Sequence, residues 1–96
     1  QAYQAGCERM AQWMTTNPDV NVLVVGHTDN VGDAEDNLVL SRNRAEQVKA
    51  YLVDRGVQAG RIQVDGKGDL EPMAPNDSEA GRAANRRVVV RILETK

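Results

Sequence analysis

The sequence predicts an α/β sandwich, a fold in which helices pack against a mixed β-sheet. Apolar residues recur every three or four positions in two segments, at residues 3–16 and 34–55, which is typical of amphipathic helices. Valine and isoleucine are concentrated in three shorter segments, at 20–25, 61–65 and 88–93, which favours strands. Because helical and strand segments alternate along 96 residues, we expect a single layered domain with one modest core.

The first helix ends where Asn17 precedes Pro18, because proline disfavours helical geometry in the residue before it. Positions spaced three or four apart predict its buried face, which carries Tyr3, Gly6, Met10 and Trp13. The following strand, 20–25, is apolar on both faces toward its end. This pattern predicts a central strand that is covered on both sides.

The second helix follows a polar loop at residues 26–32. Its predicted buried stripe has spacings of three, four, three and four and consists of Leu38, Ser41, Ala45, Val48 and Leu52. Gly56 fits the left-handed position after the helix, and Val57 can make the accompanying apolar contact. Beyond the strand at 61–65, a loop rich in glycine and proline leads to Ser78, which can cap a short third helix.

The composition excludes several classes of protein. The chain is 41% hydrophobic and 27% charged, which is ordinary for a globular domain. A formal net charge of −2 argues against nucleic acid as a partner, and two tyrosines with one tryptophan offer few stacking surfaces for bases. Cys7 is the one cysteine, so an internal disulfide is impossible.

The polar loop after the first strand contains the strongest candidate for ligand binding. In open α/β sheets ligands bind at the carboxyl ends of the strands, where Asp29 is predicted to lie. Asn37 and Arg44 are seven residues apart on the second helix, so they lie near one stripe, about 10 Å apart along the axis. A carboxylate accepts hydrogen bonds from an ammonium group, and a guanidinium donates two parallel hydrogen bonds to a carboxylate. Such a pair suits a zwitterionic ligand, although Asp29 and Arg44 can equally pair with each other.

Other local patterns carry weaker signals. His27 and Asp29 form an H-x-D pair, but His27 is the only histidine and no metal site is expected. The segment 66–68 (Gly-Lys-Gly) lacks the remaining residues of a phosphate-binding loop, and no cofactor is expected. The arginines near the C-terminus can be a solvated face, or one of them can reach the ligand while the others hold the fold; they are Arg82, Arg86 and Arg87.

Four motifs in a fixed order carry a family resemblance. They are G-H-T-D-N-V-G at 26–32, N-x-x-L-S-x-x-R-A at 37–45, G-x-G-x-x-x-P at 66–72 and G-R-x-x-N-R-R-V at 81–88. Together they resemble the OmpA-like C-terminal, peptidoglycan-binding domain family, and the resemblance covers residues 20–93. It implies one such domain over residues 1–96. The family usually begins with a strand before the first helix, so we expect an N-terminally truncated member without that leading edge strand.

The resemblance implies non-covalent binding of peptidoglycan, without catalysis, in the periplasm of Gram-negative bacteria. Family members occur in porin-like proteins of the outer membrane, in peptidoglycan-associated lipoproteins and in flagellar stators. The parent protein is therefore expected to be anchored in a membrane outside this part of the chain. By this resemblance Asp29 holds the ammonium of diaminopimelate and Arg44 holds its carboxylate. The other implied site residues are Asn37 and Arg86 in the pocket, Thr28, Asn30 and Val31 in the loop around the ligand, and Leu38 beside it.

Two other functions stay open on the sequence alone. A cell-wall hydrolase would use His27 and Asp29, although no general base is poised beside a nucleophile. A structural or oligomerisation module would use Asp29 and Arg44 only to pair internally.

Overall fold

The structure is a computed structural model that describes residues 2–70 and 72–93, with side chains described from Cys7 onward. The helices are α1 (Ala2–Thr16), α2 (Ala34–Asp54) and α3 (Glu79–Asn85), and the strands are β1 (Asn21–Gly26), β2 (Ile62–Gly66) and β3 (Val88–Leu93). A 3-10 turn, Ala59–Arg61, precedes β2. The predicted α/β sandwich with a mixed sheet is confirmed. Within the described residues, no helix is both long and apolar enough to cross a membrane.

Strand β1 is the centre of the sheet, whose order is β2-β1-β3. It runs parallel to β2, with Val24 opposite Val64, and antiparallel to β3, with Val24 opposite Val90. The parallel pairing requires a crossover connection, which α2 supplies. Within the part of the chain that the structure describes, β3 has a strand neighbour on one side only and therefore forms an edge of the sheet.

The core lies between the sheet and the two long helices. It consists of Ala11, Met14, Val22, Val24, Ala45, Val48, Leu52, Val57 and Ile62. The predicted buried face of α1 is wrong at Trp13, which is 39% exposed, whereas Ala11 and Met14 are buried. Two overlapping stripes with helical spacing pass through Met10, and periodicity alone does not choose between them. The burial of Tyr3 and Gly6, the other residues of the predicted face, lies outside what the structure describes.

Helix α2 has the predicted buried stripe except at its first position. Leu38 is 38% exposed, and Asn37 is buried in its place. The helix begins at an N-cap, Asp33, whose carboxylate accepts hydrogen bonds from the backbone N–H groups of the first turn. At its other end Gly56 has the predicted left-handed conformation, with φ of 106°, and the Val57 N–H donates to the Leu52 carbonyl at 3.1 Å.

The first half of α2 lies directly against the ends of β1 and β2. Gly26 and Gly66 are opposite each other in the parallel pair. A Cβ atom at Gly26 would overlap the Ser41 carbonyl oxygen, and one at Gly66 would overlap the backbone nitrogen of Arg42. The Ser41 hydroxyl also accepts a hydrogen bond from the Gly68 N–H at 2.9 Å. This close approach brings the loops that follow both strands against α2.

Candidate functional site

The loop that follows β1 is tied to both neighbouring chain segments. The His27 N–H donates to the Arg87 carbonyl at 2.8 Å, and the Thr28 N–H donates to the Gly68 carbonyl at 2.8 Å. His27, Thr28 and Asp29 are all buried. The loop therefore holds Asp29 in a fixed position at the carboxyl end of the central strand, which is where the sequence placed the candidate site.

Asp29 is a buried carboxylate with two partners inside the protein. Its residue is only 8% exposed. Oδ1 accepts from the Val31 N–H at 3.0 Å, and Oδ2 accepts from Arg86 Nη1 at 2.7 Å. The hydrogen bond from Arg86, followed by that from Val31, lowers the pKa of Asp29 below its ordinary value. Asp29 is therefore ionised at neutral pH, and a carboxylate with about four acceptor positions retains room for a further donor.

Asn37 and Thr28 fix the backbone around Asp29. Asn37 Nδ2 donates to the carbonyl oxygens of Asp29 at 3.3 Å and Val31 at 3.1 Å. The Thr28 hydroxyl donates to the Asp29 carbonyl at 2.8 Å. The amide nitrogen of Asn37 is thus engaged with the loop, which explains why Asn37 rather than Leu38 occupies the buried stripe of α2.

Arg86 connects Asp29 to a second carboxylate, that of Glu79. Arg86 Nη2 lies 2.6 Å from Glu79 Oε2, and Arg82 Nε lies 3.2 Å from Glu79 Oε1. The hydrogen bonds from Arg86 and then Arg82 lower the pKa of Glu79. Sequence reasoning missed Glu79. The one available signal is its spacing of seven residues from Arg86, which places the two near one face of α3.

Arg44 differs from Arg86 in its contacts. It is half-buried on α2, and its side chain has no hydrogen bond or ion pair with another residue that the structure describes. Asp29 pairs with Arg86, not with Arg44, so the internal pair left open by the sequence does not form. Arg44 and Arg86 both line a groove of about 610 Å³. Its apolar wall consists of Cys7, Met10, Val48, Leu52, Val88 and Val90.

The remaining predicted residues form the exposed rim of the site. Asn30 is exposed, Val31 is 63% exposed, and Leu38 lies against Gly68 with its side chain partly in solvent. Asn85 is fully buried. It holds the loop between β2 and α3 in place, because its Oδ1 accepts hydrogen bonds from the N–H groups of Met73 and Ala74. Taken together, these residues offer a fixed anionic acceptor, the Asp29 carboxylate, and a separate cationic donor, the Arg44 guanidinium.

Metal-ligating side chains do not gather at this site. Among the residues described, no group of three or more histidine, cysteine, aspartate or glutamate side chains is placed to hold a metal ion. The charged groups that meet here are carboxylates and guanidinium groups, which recognise ions and hydrogen-bonding groups of opposite charge.

Comparison with known proteins identifies the family. The chain matches the OmpA family over residues 1–86. It is 45% identical over 75 residues to outer membrane protein A of Bordetella avium, which covers 78% of this chain and 39% of that protein. It is 43% identical over 82 residues to the peptidoglycan-binding protein ArfA of Mycobacterium tuberculosis, covering 85% of this chain and 25% of that protein. The chain therefore spans less than half the length of either relative.

A solved structure supports the same assignment. The crystal structure of the peptidoglycan-associated lipoprotein from Burkholderia pseudomallei superposes with a TM-score of 0.92 at 33% sequence identity. The match covers 97% of this chain and 79% of that one. The family match over most of the sequence, together with this shared fold, shows that the chain belongs to the OmpA family.

Proposed function

We propose that this chain binds peptidoglycan non-covalently and anchors its parent protein to the cell wall, in the periplasm and in association with the outer membrane or cell envelope. The observation that carries the proposal is the buried, ionised carboxylate of Asp29 at the carboxyl end of β1, with Arg86 paired to it and Arg44 on the neighbouring helix. The relatives support it, because one is described as a peptidoglycan-binding protein and another as a peptidoglycan-associated lipoprotein.

We further propose that the ligand group is the free amino-acid end of diaminopimelate in the peptide stem. Asp29 accepts hydrogen bonds from its ammonium, and Arg44 donates to its carboxylate. Each charge-assisted hydrogen bond contributes about 1.5–3 kcal/mol. In this arrangement Arg86 orients Asp29, while Thr28 and Asn37 hold the loop. The exposed rim contacts the remainder of the ligand and consists of Asn30, Val31 and Leu38.

The proposed function is binding without catalysis. The names of the relatives describe envelope and peptidoglycan-binding proteins. Asp29 is engaged with Arg86 and the Val31 N–H, contacts that keep it an ionised acceptor. These contacts suit ammonium recognition better than the general-base role that a hydrolase using His27 and Asp29 would require.

Co-sedimentation with diaminopimelate-type sacculi tests the proposal. The wild-type chain should pellet, and Asp29→Ala and Arg44→Ala should each weaken binding at least about tenfold, the equivalent of one lost charge-assisted hydrogen bond. Arg42→Ala is the matched control, because Arg42 is an exposed arginine on the same helix whose ion-pair partner among the described residues is Glu46, at 3.9 Å. Sacculi with lysine in place of diaminopimelate keep an ammonium but lack the carboxylate, so the wild-type chain should bind them weakly.

Two results would contradict the proposal. Retention of wild-type affinity by both site variants would remove Asp29 and Arg44 from the ligand contacts. A folded wild-type chain that stays in the supernatant would favour a structural or oligomerisation module instead. The edge strand β3 offers such a module a surface for strand pairing, and light scattering would then measure the oligomeric state.

A further inference from the structure

Glu79 has no role in the proposed ligand contacts, yet it contacts the arginine that contacts Asp29. Arg86 Nη1 lies 2.7 Å from Asp29 Oδ2, and Arg86 Nη2 lies 2.6 Å from Glu79 Oε2. The guanidinium therefore bridges two carboxylates through two different nitrogens. Asp29 lies in the loop after β1, and Glu79 is the first residue of α3. The bridge therefore also fixes the start of α3 relative to that loop.

This division of donors limits what Arg86 can do to Asp29. A guanidinium and a carboxylate commonly form a fork of two parallel hydrogen bonds. Because Glu79 occupies Nη2, the contact of Arg86 with Asp29 consists of a single hydrogen bond to Oδ2. The other oxygen, Oδ1, accepts only from the Val31 N–H among the described residues. Asp29 thereby keeps acceptor positions for a ligand.

Glu79 is itself held in place, although its side chain is 67% exposed. Arg82 Nε donates to Glu79 Oε1 at 3.2 Å, and Arg82 Nη1 donates to the Asn76 carbonyl at 2.9 Å. Two arginines thus fix the two oxygens of one glutamate. A side chain with this double attachment can orient Arg86, whereas an unattached surface glutamate would not.

We propose that Glu79 is a positioning residue, which holds Arg86 in a single-bond contact with Asp29 and so gives the site its preference for ligands that carry an ammonium group. This inference rests on the proposed function. Without the Glu79 carboxylate, Arg86 is free to form the two-bond fork with Asp29, which occupies one of the two acceptor positions that remain for the ammonium. It is also free to turn toward the carboxylate of the ligand, which does not require an ammonium.

The test compares two synthetic tripeptides by calorimetry. One is L-Ala-γ-D-Glu-meso-diaminopimelate, and the other carries 2-aminopimelate, which lacks only the distal amino group. The wild-type chain should prefer the first. Glu79→Gln should weaken binding of the diaminopimelate peptide about fivefold, the effect of one hydrogen bond of about 1 kcal/mol, and should leave binding of the second unchanged or tighter. The ratio of the two affinities is the readout, since a general loss of structure lowers both.

Glu46→Gln is the matched control, because Glu46 is also an exposed glutamate, 49% exposed, that pairs with an arginine on a helix. It should keep the wild-type ratio. A second measurement needs no ligand: rotation of the Arg86 guanidinium, followed by nitrogen-15 NMR, should be slow in the wild type and faster in Glu79→Gln.

The outcomes separate the two proposals. If the wild type binds the diaminopimelate peptide and Glu79→Gln keeps the wild-type ratio, the role of Glu79 is overturned and the proposed function stands. If the wild type binds neither peptide, the proposed function fails and the ligand preference fails with it. Unchanged guanidinium rotation in Glu79→Gln overturns the positioning role in either case.

Discussion

Arginine side chains stabilise both ends of the sheet, but their partners differ in kind. At the end where β1 begins, Arg61 Nη2 lies 2.7–2.9 Å from the carbonyl oxygens of Met14, Asn17 and Val20, and its Nε also donates to the Val20 carbonyl. At the end where β1 finishes, Arg86 contacts two carboxylates. Arg44, on the same side, has no partner among the described residues.

The chemical nature of the partner distinguishes the structural arginine, Arg61, from the arginine at the proposed binding site, Arg86. The carbonyls around Arg61 belong to the last turn of α1 and the residues that follow it, where backbone acceptors lack helical partners. They are neutral, and removing Arg61 takes a charged donor from each of them, although the Asn17 carbonyl still accepts from the Val20 N–H at 3.1 Å. The carboxylates at the other end are charged, and Asp29 keeps acceptor positions that the proposed ligand would use. We therefore expect changes at the end where β1 begins to affect stability alone, whereas changes at the end where β1 finishes can affect both stability and the proposed binding.

The largest expected effect is a loss of stability at the end of the sheet that holds the proposed site. In Gly26→Ala the new methyl group would overlap the Ser41 carbonyl oxygen, a backbone atom that cannot move without shifting α2. We expect the free energy of unfolding to fall by about 3 kcal/mol, at the upper end for overpacked sites, as measured by urea denaturation. Gly60→Ala is the control, since nothing lies within 4 Å of its added Cβ. Equal stability of the two variants would contradict the close contact between β1 and α2.

The next effect concerns stability alone. Arg61→Ala should lower the free energy of unfolding by about 2 kcal/mol, because charged hydrogen bonds to backbone carbonyls are lost and the acceptors stay partly buried. The affinity of the folded fraction for sacculi should not change, since Arg61 lies at the opposite end of the sheet. Arg42→Ala, at an exposed ion pair of 3.9 Å, serves as the control with little expected loss. A parallel loss of affinity in Arg61→Ala would show that the two ends are coupled.

Much of the fold could be predicted because its signals are local. Apolar residues on both faces of β1 predict a central strand, and Gly56 predicts the end of α2 through its left-handed conformation. The buried face of α1 could not be predicted, since the stripe through Trp13 and the stripe through Met14 have the same helical spacing. Tertiary packing, which the sequence pattern does not contain, selects Met14.

The site could be predicted only in part, for a related reason. Asp29 stands out because it lies in the loop that follows β1, but its partner Arg86 is 57 residues away in the sequence. No spacing rule links two residues so distant. Arg61 has no sequence signal at all, because its partners are backbone carbonyls and these are present at every position. Long-range ion pairs and contacts to the backbone are therefore what the structure adds.

The smallest expected effect is a loss of stability in acid, which we expect to arise at the Asp29 end of the sheet and not at the Arg61 end. The pKa values of Asp29 and Glu79 lie below the ordinary values of 3.8 and 4.5. A carboxyl with a lowered pKa in the folded state contributes stability that is complete above its ordinary pKa and is lost as the pH falls toward the folded value, because the unfolded chain takes up protons first. The free energy of unfolding should therefore decrease as the pH falls below about 4.5.

Urea denaturation between about pH 6 and about pH 3 measures this decrease, and two arginine variants assign it to one end of the sheet. Arg86→Gln should have a shallower decrease than the wild type, because Asp29 and Glu79 lose their shared cation and their pKa values return toward the ordinary ones. Arg61→Ala should keep the wild-type slope from its lower starting stability, since carbonyl oxygens do not titrate in this range. If instead Arg61→Ala were the shallower of the two, the acid-sensitive contacts would lie at the end where β1 begins, and the assignment of charge recognition to the Asp29 end would be wrong.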